Sequence, residues 1–231
     1  LGEKYDLLCP SEYMIMKLQS EDRLQKYPEI FFDASVETNY YAQNVSPFIK
    51  TRFDEGKMKD GVSKWSEYAA GYMWGTTGFV VKPDSAYADE AASWNVVTKY
   101  GSKATAKNNV RDSYFMGLGM YYENNADDTK TLSEKMNDTS VDTMNAVQEI
   151  LTAVKQSGVR FETDDAKDEI ISGDYDLSYQ WSGDAVYIMD EAEANEIYYD
   201  YVIPEFSSNL WFDGWVMMKG AQVDVATAFV N

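Results

Sequence analysis

Short apolar runs and amphipathic stretches follow one another along the whole chain. The run YDLLCP (5–10) has the length of a buried strand, and EYMIMKLQSEDRL (12–24) continues as a helix. The same order returns in 159–193, where the pattern predicts a strand, a helix, a strand and a helix. Strands that alternate with helices favour an α/β architecture.

Longer amphipathic stretches occupy the middle of the chain. NNVRDSYFMGLGMYYE (108–123) repeats apolar side chains at helical spacing, and SVDTMNAVQEILTAVKQSG (140–158) adds a serine cap and a glycine stop. Residues 197–204 and 211–218 predict the last two strands, and QVDVATAFVN (222–231) begins a closing helix. This order also fits an α/β fold.

One long apolar run, YAAGYMWGTTGFVV (68–81), is interrupted at Gly75–Thr77. A polar interruption of this kind does not fit a single straight buried strand. We therefore interpret the run as two strand segments that meet at a crossover. Residues 27–66, by contrast, are irregular, and Pro47 and Gly56 mark turns and short elements there.

The last predicted strand contains one carboxylate, Asp213, between Trp211 and Trp215. A buried carboxylate must be protonated, paired or hydrogen-bonded, because burying it alone is prohibitive. No Lys or Arg lies between Lys167 and Lys219, so a protein partner must come from another part of the chain. The alternative partner is a ligand ammonium group, to which each nearby tryptophan would add roughly 0.5–2 kcal/mol of cation–π attraction.

Polar residues follow three of the predicted strands. They lie in PSEY (10–13), NNVRD (108–112) and WSGDA (181–185). In open α/β sheets ligands bind at the carboxyl ends of strands, so these turns are candidates for one shared site.

Several residues of these turns also have a purely structural explanation. Asn109 and Asp112 have the spacing of a helix N-cap and its third residue, and Asp184 lies where a helix dipole favours a carboxylate. Trp181 ends an apolar strand and, taken alone, is more typical of a core position. Capping and ligand binding both remain open for these residues.

The charge balance is strongly acidic, with 39 Asp and Glu against 20 Lys and Arg and a net charge of −19. Most of the excess lies in 164–205, which is either a solvated surface or a field that attracts cations. Nucleic acid and anionic membrane surfaces are poor partners, because phosphate binding needs clustered Lys and Arg.

The absence of histidine and the single cysteine exclude several chemistries. Histidine acid–base catalysis, histidine metal sites, disulfides within the chain and the usual serine or cysteine triads are ruled out. Cys9 is expected to be a small buried hydrophobe. No catalytic residue, metal site or cofactor is predicted, and no carboxylate pair stands out for glycoside hydrolysis.

The chain contains no apolar window long enough for a membrane span. Its first residues do not have the basic and apolar regions of a signal peptide. A strand pattern begins almost at once, so we expect further sequence upstream, with a signal peptide in the parent protein.

Five strings together resemble the spermidine/putrescine-binding family, the polyamine-binding members of the periplasmic-type substrate-binding proteins of ABC transporters. They occur in the family's order and span nearly the whole chain, from residue 5 to about 230. The strings are YDLLCPSEYMI, YAAGYMWGTTGFV, NNVRDSYFMGLG, YQWSGDAVYIMDEAE and SSNLWFDGWVMMKGA.

The resemblance implies an α/β fold with the two-lobe periplasmic binding protein type II architecture and hinge crossovers. The first lobe would comprise 1–77 and 206–231, and the second lobe would comprise 78–205. The family's additional N-terminal strand and helix and its C-terminal helices are absent from the sequence, so the chain resembles a trimmed core.

The resemblance also implies a set of ligand-binding residues. Three carboxylates would pair with ammonium groups, aromatic side chains would pack on methylene chains, and Asn109 stands where some members have an acid. The implied ligand-binding residues are Ser11, Tyr13, Asn109, Asp112, Trp181, Asp184, Trp211 and Asp213.

The function expected from the resemblance is extracytoplasmic, in a periplasm or as a cell-surface lipoprotein. The protein would capture putrescine or spermidine between two lobes and deliver it to the permease subunits of an ABC transporter, without catalysis. Two alternatives remain open. One is a binding protein of the same fold for another cationic metabolite or an oligosaccharide, and the other is a glycoside hydrolase with an acidic cleft.

Overall fold

The computed structural model describes residues 5–231 and contains two β-sheets. The strands are β1 (Leu7–Leu8), β2 (Leu24–Gln25), β3 (Ala69–Gly75), β4 (Thr77–Val81), β5 (Ala104–Ala106), β6 (Arg160–Phe161), β7 (Leu177–Trp181), β8 (Asp200–Val202) and β9 (Trp211–Met218). The α-helices are α1 (Glu12–Ser20), α2 (Tyr40–Asn44), α3 (Pro47–Glu55), α4 (Val96–Tyr100), α5 (Val110–Asn124), α6 (Leu132–Met136), α7 (Val141–Gln156), α8 (Lys167–Ile171), α9 (Ser182–Glu193) and α10 (Val223–Val230). The predicted α/β architecture is confirmed.

The chain divides into two compact units. Unit 1 comprises Leu1–Trp74 and Trp211–Asn231, and unit 2 comprises Gly75–Leu210. Each unit contains one of the two sheets. Among the described residues, no helix combines the length and the hydrophobicity that a membrane crossing requires.

Strand β9 organises unit 1, where it pairs with β1, β2 and β3. Its last residues are buried on both faces of the sheet, because side chains alternate along a strand. Val216 and Met218 pack in one cluster with Ile15 of α1, while Met217 packs in another cluster with Phe31. These two apolar layers explain why WFDGWVMM is almost continuously hydrophobic.

Unit 2 is built on a five-stranded sheet with the order β6-β5-β7-β4-β8. Strand β5 is parallel to β6 and β7, whereas β4 is antiparallel to β7 and β8. Phe79 of β4 packs with Trp94 on one face, and the next residue, Val80, packs with Ile188 on the other. The sheet is therefore covered on both faces, as its apolar strands require.

The interrupted run 68–81 forms two strands, as predicted, and the structure shows that they belong to two different sheets. Strand β3 belongs to the sheet of unit 1, and β4 begins the sheet of unit 2. Hydrogen bonds fix the start of β4 within unit 2. The Ser208 hydroxyl donates to the Thr77 carbonyl at 2.7 Å, and the Ser182 backbone N–H donates to the Thr76 carbonyl at 2.9 Å.

Two local predictions need correction. The first helix ends at Ser20 instead of continuing to residue 24, since Asp22 adopts a left-handed φ of 56° and Leu24 then pairs with β9. Aspartate tolerates this conformation better than most residues. The pattern also gave no sign of β5, because the three small residues at 104–106 are too few to show a period.

Candidate functional site

Parallel pairing brings two of the three polar turns together in unit 2. Strands β5 and β7 are direct neighbours, with Thr105 opposite Ser178. Their carboxyl ends therefore meet at one edge of the sheet, where helices α5 and α9 begin. Asn109 and Asp112 come from the first turn, and Trp181 and Asp184 come from the second.

Asp112 is a buried carboxylate with neutral partners. Its side chain accepts hydrogen bonds from Asn109 Nδ2 at 2.6 Å and from Trp181 Nε1 at 3.1 Å, and the residue is only 5% exposed. Within residues 5–231, no lysine or arginine forms an ion pair with it. Burial raises the pKa of Asp112, although the two hydrogen bonds and the nearby charges of Lys107 and Arg111 oppose the shift.

Asn109 has the capping role that its position predicted. Its side-chain oxygen accepts from the backbone N–H groups of Arg111 and Asp112, both at 3.0 Å, while its amide group donates to the Asp112 carboxylate. Capping thus orients Asn109, and Asn109 in turn holds Asp112 against Trp181. Asn109 can therefore cap helix α5 and also belong to the candidate site.

Asp184 has a different environment, because two lysines neutralise it. Lys107 Nζ lies 2.9 Å from one carboxylate oxygen, and Lys167 Nζ lies 2.8 Å from the other. Burial would raise the pKa of Asp184, but hydrogen bonds from Lys167 and Lys107 outweigh this effect and lower it. The resemblance assigned this carboxylate to a ligand amine, but in the structure it is paired with two lysines of the protein.

Lys107 is the residue of this cluster that the sequence did not indicate. Its side chain has no exposed surface, and its Nζ lies 3.9 Å from the centre of the Trp181 ring. A lysine is almost never fully buried without a partner, so Asp184 and the tryptophan ring together explain its position. Lys107 follows β5 directly, and recognising that strand would have placed it at the site.

In unit 1, Asp213 lies in β9 opposite Ser11, with which it forms an isolated antiparallel bridge. Its Oδ1 atom is buried and has no hydrogen-bond partner in the described part of the chain. No lysine or arginine among these residues forms an ion pair with it either. The nearby Cys9 is half-buried, and burial together with the Asp213 charge raises the pKa of its thiol to about 11.

The remaining residues predicted for unit 1 lie on strand β9 itself or at the start of helix α1, next to the Ser11 bridge. Ser11 directly precedes α1, and Tyr13 lies in the first turn of that helix with 37% of its surface exposed. Trp211 begins β9 and is half-buried. Unit 1 thus combines a carboxylate with aromatic side chains, and unit 2 does the same with Asp112 and Trp181.

The eight predicted residues therefore fall into two groups of four. We call them half-site 1, in unit 1, and half-site 2, in unit 2. Half-site 1 consists of Ser11, Tyr13, Trp211 and Asp213, and half-site 2 consists of Asn109, Asp112, Trp181 and Asp184. No group of acidic or cysteine side chains in 5–231 has the arrangement of a metal site.

Comparisons with known proteins agree with the resemblance seen in the sequence. No family profile matches the chain. The chain is 23% identical over 222 residues to the spermidine/putrescine-binding periplasmic protein of Salmonella typhimurium, covering 94% of the chain. It spans about half the length of the curated relatives it matches, 55% in this case.

Solved structures of substrate-binding proteins have the same fold. A putative spermidine/putrescine ABC transporter protein from Listeria monocytogenes matches all of the chain and 63% of its own length, with a TM-score of 0.77 and 24% identity. The spermidine/putrescine substrate-binding protein PotD from Streptococcus pneumoniae matches 98% of the chain and 62% of its own length, with a TM-score of 0.70 and 24% identity. The chain therefore has the α/β fold of the periplasmic-type substrate-binding proteins of ABC transporters, and it is similar in sequence to those named for spermidine and putrescine.

Proposed function

We propose that the protein binds a polyamine of the putrescine and spermidine class through half-site 1 and half-site 2. The observation that carries the proposal is Asp213, a carboxylate whose buried oxygen has no protein partner in residues 5–231. Leaving such a group without a partner is costly, and a ligand ammonium would supply the missing donor and the opposite charge.

Half-site 2 supports the same ligand chemistry. Asp112 is buried and receives only neutral hydrogen bonds, and the Trp181 side chain that donates one of them offers an aromatic surface. A polyamine consists of ammonium groups separated by methylenes, so its site needs separated carboxylates and apolar walls. Charge-assisted hydrogen bonds of this kind are about twice as strong as neutral ones.

In this proposal the protein is an extracytoplasmic carrier that delivers the polyamine to the permease subunits of an ABC transporter. The names of the relatives, which describe periplasmic binding proteins, support a binding role. The working step would be capture and release of the ligand, and not catalysis. Asp184 would be a poor general acid for glycoside hydrolysis, since two lysines keep it ionised.

Calorimetric titration tests the proposal directly. The protein at its natural length is titrated with putrescine, cadaverine, spermidine and spermine, and at least one is expected to bind. Binding should weaken as salt is raised, because ammonium–carboxylate attraction is screened. Binding of an oligosaccharide or an amino acid, together with no heat from any polyamine, would instead favour a same-fold carrier of another solute.

The raised pKa of Asp112 predicts that ligand binding releases a proton at pH values between the ordinary carboxyl pKa and the raised one. An ammonium near the carboxyl group favours its charged form, so binding lowers a pKa that burial had raised. Between the ordinary carboxyl pKa, about 4, and the raised pKa of Asp112, the affinity for the ligand should therefore fall as the pH is lowered. The measurement is titration in buffers of different ionisation enthalpy, in which the dependence of the heat on the buffer counts the released protons.

The matched control for this prediction is Asp112→Asn, which keeps the shape and the hydrogen bonds but cannot titrate. The buffer dependence should disappear in this variant, and its affinity should be lower at neutral pH. An unchanged buffer dependence would assign the proton to another group.

A further inference from the structure

We propose that Lys107 is a built-in cation that takes the place of one ligand ammonium group in half-site 2, so that the protein selects a diamine over a triamine. This inference rests on the proposed polyamine binding and concerns the ligand's length and charge. It makes Lys107 a specificity-determining residue.

The surroundings of the Lys107 ammonium group are those expected for a bound ligand amine. Its Nζ lies 2.9 Å from an Asp184 oxygen and 3.9 Å from the centre of the Trp181 ring. A carboxylate at hydrogen-bond distance and an aromatic face are the two contacts that recognise an ammonium ion. The side chain of Lys107 supplies this ammonium from within the protein.

A ligand cannot readily displace this lysine. Lys107 has no exposed side-chain surface, and moving its ammonium group away from Asp184 would leave a buried charge unpaired. Lys167 occupies the other oxygen of Asp184, so neither oxygen is left without a cation. A ligand ammonium group brought to this carboxylate would be the third and would meet two positive charges at close range.

The carboxylates of half-site 2 that lack a protein cation then limit the number of ligand ammonium groups that this half-site accepts. Of its two carboxylates, Asp184 already has two cations, whereas Asp112 forms no ion pair within residues 5–231. Half-site 2 can therefore pair with one ligand ammonium group, and spermidine carries one more ammonium group than putrescine or cadaverine. The third ammonium group of spermidine would have to be desolvated next to Lys107 without a counter-ion, which is unfavourable.

The test compares the dissociation constants of putrescine and spermidine in the wild-type protein and in two neutral variants. Lys107→Met keeps the length of the side chain, and Lys107→Gln keeps a hydrogen-bond donor for Asp184. The wild type is expected to bind putrescine more tightly. Both variants should shift the ratio of the two constants towards spermidine by about tenfold or more, because Asp184 becomes available to a third ammonium group.

Two control variants separate this role from a merely structural one. Lys107→Met combined with Asp184→Asn removes the carboxylate as well, and the gain for spermidine should vanish. Lys167→Met removes the other cation of Asp184 but leaves Lys107 on the Trp181 ring, so its shift should be smaller. A general loss of structure would weaken both ligands together and would not change their ratio.

The outcomes are distinguishable. If no polyamine binds to the wild type, the proposed function fails. If polyamines bind but the wild type prefers spermidine, or if the folded Lys107 variants leave the ratio unchanged, the role of Lys107 is refuted while polyamine binding stands. Circular dichroism shows whether each variant is folded. If neither Lys107 variant folds, the preference of the wild type for putrescine or spermidine decides whether the proposed role of Lys107 stands.

Discussion

Replacing Asp213 with asparagine is expected to abolish polyamine binding at micromolar ligand concentrations. The half-buried carboxylate would lose its charge, and a ligand ammonium would lose a charge-assisted hydrogen bond. Losses of this type cost about 2–5 kcal/mol, or roughly 30-fold to several-thousand-fold in Kd. Calorimetric titration of the variant with the polyamine that the wild type binds most tightly measures the effect.

The same substitution should have the opposite effect on the stability of the ligand-free protein. In the described part of the chain, Asp213 Oδ1 has no partner, so removing the charge relieves a desolvation penalty. The Tm without ligand should therefore rise in Asp213→Asn, while the stabilisation by ligand disappears. Glu37→Gln, at an exposed carboxylate of unit 1, controls for the change in net charge and should alter neither property. A lower Tm in Asp213→Asn would show that the carboxylate is satisfied in the free protein.

Replacing Asp184 with asparagine should destabilise the protein strongly. Lys107 would lose its counter-ion in a fully buried position, where either an unpaired charge or the loss of its proton costs free energy. Breaking one partner of a buried ion pair typically costs 3–5 kcal/mol, and we expect a loss of about that size in the free energy of unfolding. Urea denaturation at neutral pH gives the value.

Two comparisons identify the origin of that loss. The double variant Lys107→Met with Asp184→Asn should recover most of the stability, because no uncompensated charge remains buried. The pKa of Asp184 is lowered in the folded protein, so its contribution is present above the ordinary carboxyl pKa and is lost as the pH falls through the lowered value. The difference in the free energy of unfolding between the wild type and Asp184→Asn should therefore disappear in acid. Equal stabilities at neutral pH would contradict the ion pair.

Much of the fold could be predicted because its signals are local. The strand β9 was predicted with its observed bounds, since eight residues that are apolar except for Asp213 and Gly214 have the length of a buried strand. Helix α7 was predicted from its apolar spacing and from Ser140, whose side chain accepts from the Thr143 N–H. The interruption in 68–81 was informative because it lies where β3 ends at Gly75 and β4 begins at Thr77.

The elements that were not predicted depend on partners far away in the chain. Strand β5 is three small residues, and it is a strand because β6 and β7 lie on either side of it. Residues 24–25 have no strand pattern of their own, and they become β2 by pairing with Met217 and Met218 of β9. Pairing of this kind cannot be read from local composition.

The candidate site could be predicted in outline, because the carboxyl ends of neighbouring parallel strands meet at one edge of a sheet. The hydrogen bond from Trp181 to Asp112 joins two of the turns that the sequence singled out. The assignment of all eight residues to ligand binding stays a prediction. The structure adds that Asp184 already has two cations, whereas Asp112 and Asp213 have none within residues 5–231.

The sequence by itself determined the alternation of strands and helices, the split of 68–81, and a chemistry of carboxylates and aromatic side chains without histidine. It did not distinguish the three candidate carboxylates, since Asp112, Asp184 and Asp213 all follow or lie within apolar segments. Only the tertiary structure decided which of them is paired with protein cations. The reason is that Lys107 is 77 positions from Asp184 in the chain, and parallel pairing of β5 with β7 brings the two side chains to hydrogen-bond distance.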